Sequence, residues 1–190
     1  MIQTNPEVPF VLRRLRLAWI LSGLGLPQWD NVDGIAAEAL SMGMHDEPLV
    51  ALASLSQPIE SALAMSLLDE LATAFDWKKP QSHEGLFTIA LFCAEEAVTS
   101  QVDALDACDY MYDPIYLRFE REGHMNLAAE LQPFVEVSIS WAENRHSMVE
   151  ASSISDFRAQ MVTKSLSLFQ AFLDNRKQPG SVDFGMQPED

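Results

Sequence analysis

Two adjacent carboxylates, Glu95 and Glu96, lie inside the most apolar stretch of the chain, LFTIALFCAEEAVTSQ (Leu86–Gln101). On a helix turning about 100° per residue, Thr88, Glu95 and Thr99 form a narrow polar stripe. Leu86, Ile89, Ala90, Cys93, Ala97 and Val98 cover most of the rest, so this helix is expected to be buried nearly all round. Glu95 belongs to the stripe. Glu96 falls instead beside Phe92, four residues back, and Ile89, seven back. Desolvation there favours the protonated form and makes Glu96 a candidate acid or base. The plainer alternative is that its stem covers Phe92 while the head reaches water or a cation. Glutamate is seldom buried unpaired, which favours the plainer one.

A second acidic group follows. Asp103, Asp106, Asp109 and Asp113 are spaced 3, 3 and 4, which on an α-helix places them within an arc of about 120°. Such a ladder could hold a hard cation or face Lys and Arg of a partner. It could equally be a solvated face with an aspartate at the N-cap. No glycine-bearing calcium loop accompanies it, so no metal is assigned. Glu143 and His146 form one E-x-x-H, but a di-iron bundle needs two, and His45, His83 and His124 have no acid three residues before them. Glu120 and His124 are spaced for a surface pair. Nucleophile-elbow, zincin, Walker and dinucleotide-binding motifs are all missing from the sequence. An enzyme is therefore the lesser expectation, and no catalytic residue or cofactor is assigned.

The charge is strongly acidic and uneven. The net is −16; residues 17–117 hold 16 acidic residues and only two basic ones, Lys78 and Lys79, for −14. Such a field repels nucleic acid and anionic membrane and steers basic partners. Arg13, Arg14 and Arg16 are too few to reverse that and are expected to pair with acidic helices. Cys93 and Cys108 have no motif spacing; Cys93 reads as a small core residue. Trp29, Trp77 and Trp141 are either core plugs or partner anchors.

The elements that must position these groups are all helical. Few glycines and the lack of long β-branched runs argue against sheet folds. Helix 1 is expected from the Pro6–Pro9 region to about Ser22; its Arg-then-apolar pattern resembles a signal peptide, but Trp19 and the lack of an A-x-A site favour a buried helix of an intracellular protein. Asp30 or Asn31 caps helix 2, and Asp46-Glu47-Pro48 starts helix 3. Helix 4 begins at Ser56-Gln57-Pro58 with a core stripe of Ile59, Leu63, Leu67, Leu71 and Phe75. Ser82 with Glu84 caps the central helix, and Asp103 caps the next. Asp113-Pro114 is expected to start a separate short helix ended by Gly123, and Asn126–Gln132 another. Phe134–Trp141 (FVEVSISW) alternates like a strand but has no partner strand, so helix is preferred. Ser153 or Ser155 caps the last helix, whose face is Phe157, Met161, Leu168 and Phe172 with Val162, Leu166, Phe169 and Leu173. Residues 178–190 read as a disordered tail, leaving 1–177 as a single domain.

Ala36–Leu55 (AAEALSMGMHDEPLVALASL) and Ala94–Asp109 (AEEAVTSQVDALDACD) resemble an uncharacterised family of small acidic all-helical bacterial proteins. The shared pattern is an A-x-x-AL-x-x-G … L-x-x-LA-x-L element, and a helix that ends in a carboxylate pair and leads to an Asp-capped helix. The resemblance covers about half the chain and implies an all-α fold and a bacterial origin. It brings no activity. The expectation is an all-α, single-domain bundle of about eight helices. Functionally it is a cytoplasmic module that binds a basic protein through Glu95, Glu96, Asp103, Asp106, Asp109 and Asp113, as a toxin-neutralising immunity protein would. The alternative is a small-ligand protein or enzyme with a helix-lined pocket around Glu96. A homodimer is compatible with either.

Overall fold

The computed structural model describes residues 8–26, 31–56, 59–145 and 151–176. Within these residues every regular element is helical: α1 (Val8–Gly23), α2 (Val32–Ser41), α3 (Glu47–Ala53), α4 (Ser61–Ala74), α5 (Ser82–Val98), α6 (Ala104–Tyr110), a π segment (Met111–Tyr116), α7 (Leu117–Glu122), α8 (Met125–Arg145) and α9 (Ala151–Asp174). The expected all-α class is what the chain adopts. None of the described helices is long and apolar enough to cross a membrane. The chain forms two compact units, residues 1–85 and 86–190, with the division inside α5. The segment read as a tail lies outside the described residues.

In the first unit α1 packs on α2 and α4, α2 on α3, and α3 on α4. The first part of the signal-like apolar run is core: Leu17, Ala18, Ile20 and Leu21 are buried, as are Val11 and Leu15 before them in α1. Asn31 is the N-cap position of α2 and Asp46 that of α3, with proline in its first turn. The face of α4 differs from expectation. Ala64, Leu68, Leu71 and Ala72 are buried, whereas Leu63 is 46% exposed and Leu67 only half-buried. Helix 4 starts at Ser61 after the N-cap position Glu60. Leu67 and Leu68 are adjacent, so two apolar stripes run along α4. The helices packed on it, not its own periodicity, select one.

In the second unit α8 packs on α6, the π segment, α7 and α9, and α6 also packs on α9. Two prolines expected to break helices do not. Pro114 sits inside the π segment, so Ala104–Glu122 is one helical run. Proline removes a donor and its ring crowds the carbonyl four residues back; bonding at i→i+5 relieves that crowding locally. Pro133 lies inside the 21-residue α8. There, burial of Leu131, Phe134, Val135, Val137 and Ser138 on one side offsets the lost bond. Ile139, which a strand would bury with Val135 and Val137, is 39% exposed, in agreement with the helical reading. α9 starts at Ala151, so Ser153 and Ser155 lie within it and cap nothing. Its buried face is Met161, Ser165, Phe169 and Phe172; Leu168 is half-buried.

Five helix ends close in the same way, with an N–H reaching back five residues and the preceding N–H reaching back three. These pairs are Leu26 to Leu21 with Gly25 to Ser22, Met44 to Ala39 with Gly43 to Leu40, Trp77 to Ala72 with Asp76 to Thr73, Gln101 to Glu96 with Ser100 to Ala97, and His124 to Phe119 with Gly123 to Glu120. This closure needs a left-handed residue at its corner. Gly25, Gly43 and Gly123 supply it three times, but Asp76 (φ 50°) and Ser100 (φ 61°) take the same conformation with a Cβ. Ser100 is thus a glycine position filled by serine. Ser100→Gly is expected to stabilise the protein by about 0.5–1 kcal/mol, the left-handed cost being offset in part by glycine's greater unfolded-state entropy. Urea denaturation measures it; an unchanged or lower midpoint would contradict the strained corner.

Candidate functional site

The acidic residues singled out in the sequence divide into three kinds of position. Glu96 is buried, 7% exposed, between Phe92 and Ile89, themselves buried. Its backbone carbonyl is also the acceptor that closes α5, from Gln101 N–H at 2.8 Å. Glu95 is half-buried, and its carbonyl accepts from Thr99 Oγ1 at 2.8 Å. The central helix begins at Ser82, with Glu84 Oε2 accepting from Gln81 N–H at 2.9 Å. Gln81, rather than Ser82, therefore holds the cap position, and Glu84 supplies the reaching-back half of a capping box.

Asp103 and Asp109 are engaged within the second unit. Asp103 Oδ1 accepts from Leu105 N–H at 2.9 Å, which is the expected N-cap of α6, and its Oδ2 pairs with Arg158 of α9. Asp109 Oδ1 accepts from the buried Ser138 hydroxyl of α8 at 2.5 Å. Asp106 and Asp113 are exposed and make no ion pair or hydrogen bond with any described residue. Asp113 lies in the π segment, so the constant 100° step behind the predicted arc does not extend to it. The four aspartates are thus two structural groups and two surface charges.

Other sequence candidates are placed as follows. Arg14 pairs with Glu38 at 3.0 Å, as its charge context suggested. Glu120 does not take His124; it accepts from Tyr116 OH at 2.8 Å, while His124 stands 3.9 Å from Glu122. Gly123 turns the chain left-handed between the two residues. Trp77 packs against the core of the first unit, stacked on Phe75 at 5.7 Å, and Trp141 stacks on Phe157 at 6.0 Å. Both are half-buried. Trp29 and His146 lie outside the described residues. No three His, Cys, Asp or Glu among the described residues converge as metal ligands.

The thiols are sealed. Cys93 is buried and its Sγ donates to Ala107 O at 3.6 Å; burial, then the nearby Cys108 and Glu96, pushes its pKa well up. Burial likewise raises Cys108 to about 12, against an opposing hydrogen bond from Ser165. A thiol that ionises more readily unfolded than folded supports the fold below its ordinary value and opposes it above. Stability contributed here is therefore full below pH 9.0 and declines as the pH rises towards about 12. Near neutral pH the native thiols are expected to resist iodoacetamide, reacting only in denaturant. Mass spectrometry of the native protein showing rapid double alkylation would contradict this placement.

Two pockets are lined by residues the sequence did not bring together, and neither is lined by Glu96. In the second unit, a groove of about 310 Å³ between α8 and α9 has Pro133, Phe134, Leu168 and Phe172 in its wall. Its two charges, Glu130 and Arg176, pair with each other, and Arg176 also lies 4.6 Å from the Phe87 ring centre. In the first unit, a pocket of about 160 Å³ is lined by Trp19, Ile20, Leu24, Met65, Asp69 and Lys79, with Gly23, Ser22 and Pro80 completing it. Trp19 Nε1 donates to Asp69 Oδ1 at 2.7 Å. Asp69 and Lys79 are both exposed and neither forms an ion pair with any described residue. The sequence signal for this pocket was slight: Asp69 is simply the residue after core Leu68, and Lys79-Pro80 reads as a loop.

The fold and these sites define an acidic all-α protein. The chain matches no family model, no curated protein and no solved structure.

Proposed function

We propose that the protein is a binding module for a basic protein, acting without catalysis in the bacterial cytoplasm as an immunity protein does towards a toxin. The observation that carries this reading is the pair Asp106 and Asp113, exposed on one helical run with no ion pair or hydrogen bond to any described residue, in a chain of net charge −16. Carboxylates that make no internal contact can be engaged by Lys or Arg of a partner without dismantling the fold. Asp103 and Asp109 belong to the scaffold behind that surface, and Glu95 and Glu96 flank it in sequence. The second reading, a ligand or catalytic site at Glu96, is favoured by its burial beside Phe92. It has less support because neither described pocket is lined by Glu96.

The test is co-purification with the products of the neighbouring genes, followed by affinity measurements on any basic protein retained. The expected complex weakens steeply between low and high salt and loses about tenfold or more in affinity when Asp106 and Asp113 are both changed to Asn. Rescue from the toxicity of a neighbouring gene completes the immunity reading. If no basic protein is retained, or the double variant binds as the parent does, this reading fails.

A further inference from the structure

The pocket of the first unit has a composition that the basic-partner reading does not use. Its wall is apolar and aromatic, from Trp19, Ile20, Leu24, Met65 and Pro80, yet it carries one carboxylate and one ammonium, Asp69 and Lys79. Asp69 and Lys79 line the same cavity with opposite charges that could pair with each other. They do not: there is no ion pair between them, or from either to any described residue. Asp69 is also oriented, because Trp19 Nε1 holds its Oδ1 at 2.7 Å and leaves Oδ2 for another donor. The α8–α9 groove shows the contrast, since its acid and base neutralise one another.

We propose that this pocket binds a free apolar α-amino acid. The side chain enters the apolar part against Trp19 and Met65, the α-ammonium pairs with Asp69 Oδ2, and the α-carboxylate pairs with Lys79 Nζ. The volume, about 160 Å³, suits one such group: a dry apolar cavity of about 150 Å³ holds a benzene-sized molecule. A ligand carrying only a cation or only an anion leaves one of the two charges without a partner and meets the other's repulsion. The zwitterion answers both, through charge-assisted hydrogen bonds at either end.

The site shares no residue with the Asp106 and Asp113 surface, so it can fail or hold independently of the partner reading. L-leucine and L-phenylalanine are titrated into the full chain by calorimetry, with Trp19 emission as a second signal. N-acetyl-L-leucine, lacking the ammonium, and L-leucinamide, lacking the carboxylate, are the paired probes. Saturable binding of the free amino acids is expected, with each blocked form at least about tenfold weaker, a difference of 1.4 kcal/mol. Asp69→Asn keeps an oxygen for Trp19 and should weaken L-leucine and L-leucinamide but not the N-acetyl form. Lys79→Gln should weaken L-leucine and the N-acetyl form but not the amide. Gly23 lines the pocket, and a Cβ added there meets nothing within 4 Å, so Gly23→Leu should fold normally by circular dichroism and abolish binding. No saturable heat, equal affinity for all three leucine forms, or full binding by Gly23→Leu would each overturn the proposal.

Discussion

Phe134→Ala is expected to be the most damaging single substitution in the second unit, at about 3–5 kcal/mol. Phe134 is 2% exposed and lies at the join of α8 and α9. Its ring stacks on Phe169 at 4.7 Å between centres and meets Phe172 edge-on at 5.7 Å. Both contacts add to the area term, by about 0.5–1.5 kcal/mol each, and Phe172 is held in turn by Phe87 at 5.8 Å. The residue also follows Pro133, so its burial helps α8 to continue through a proline that costs about 3 kcal/mol in an ordinary helix interior. The comparison is Ile139→Ala on the same helix, expected at no more than about 1 kcal/mol because the side chain is 39% exposed and outside the core. Chemical denaturation of both variants decides it. Similar losses at the two positions would mean that α8 presents a different face.

The second large effect is Leu68→Ala in α4, expected at about 2–5 kcal/mol, against less than about 0.5 for Leu63→Ala. Leu68 is fully buried and Leu63 is 46% exposed, although both fit an apolar stripe. The pair tests more than stability. The rotation that buries Ala64, Leu68 and Leu71 is the one that carries Met65 and Asp69, spaced four apart, to the pocket beside Trp19. If Leu63→Ala proved the costlier change, α4 would be turned and the pocket would lose its carboxylate.

Comparison of the two acidic groups separates structural from available charge. Asp103 and Asp109 hold α6 to α9 and α8, through Arg158 and Ser138. Neutralising them would confuse instability with lost binding. Asp106 and Asp113 are the informative positions because nothing described depends on them.

Much of this was written in the sequence. Helix existence follows from local rules, so α1 to α5 fall close to where caps, prolines and glycines place them. The Asp103 cap and the Gly123 stop are one-residue chemistry and are where they were expected. Glu96 was expected against Phe92 and Ile89, because neighbours along one helix are fixed by its own period, and it is buried there. Other features depend on a second element and no local rule reaches them. Which of two adjacent leucine stripes faces inward on α4 is set by the helices packed on it. Pro133 and Pro114 remain inside helices because distant partners bury the surrounding residues and a π turn absorbs the ring. Ser138 and Arg158 convert two of four equivalent aspartates into scaffold, across sequence separations of 29 and 55 residues. Asp69 meets Trp19 across 50. Sequence periodicity determines what each helix can bury; only the packing of helices on one another decides which charges are engaged within the fold and which remain at its surface.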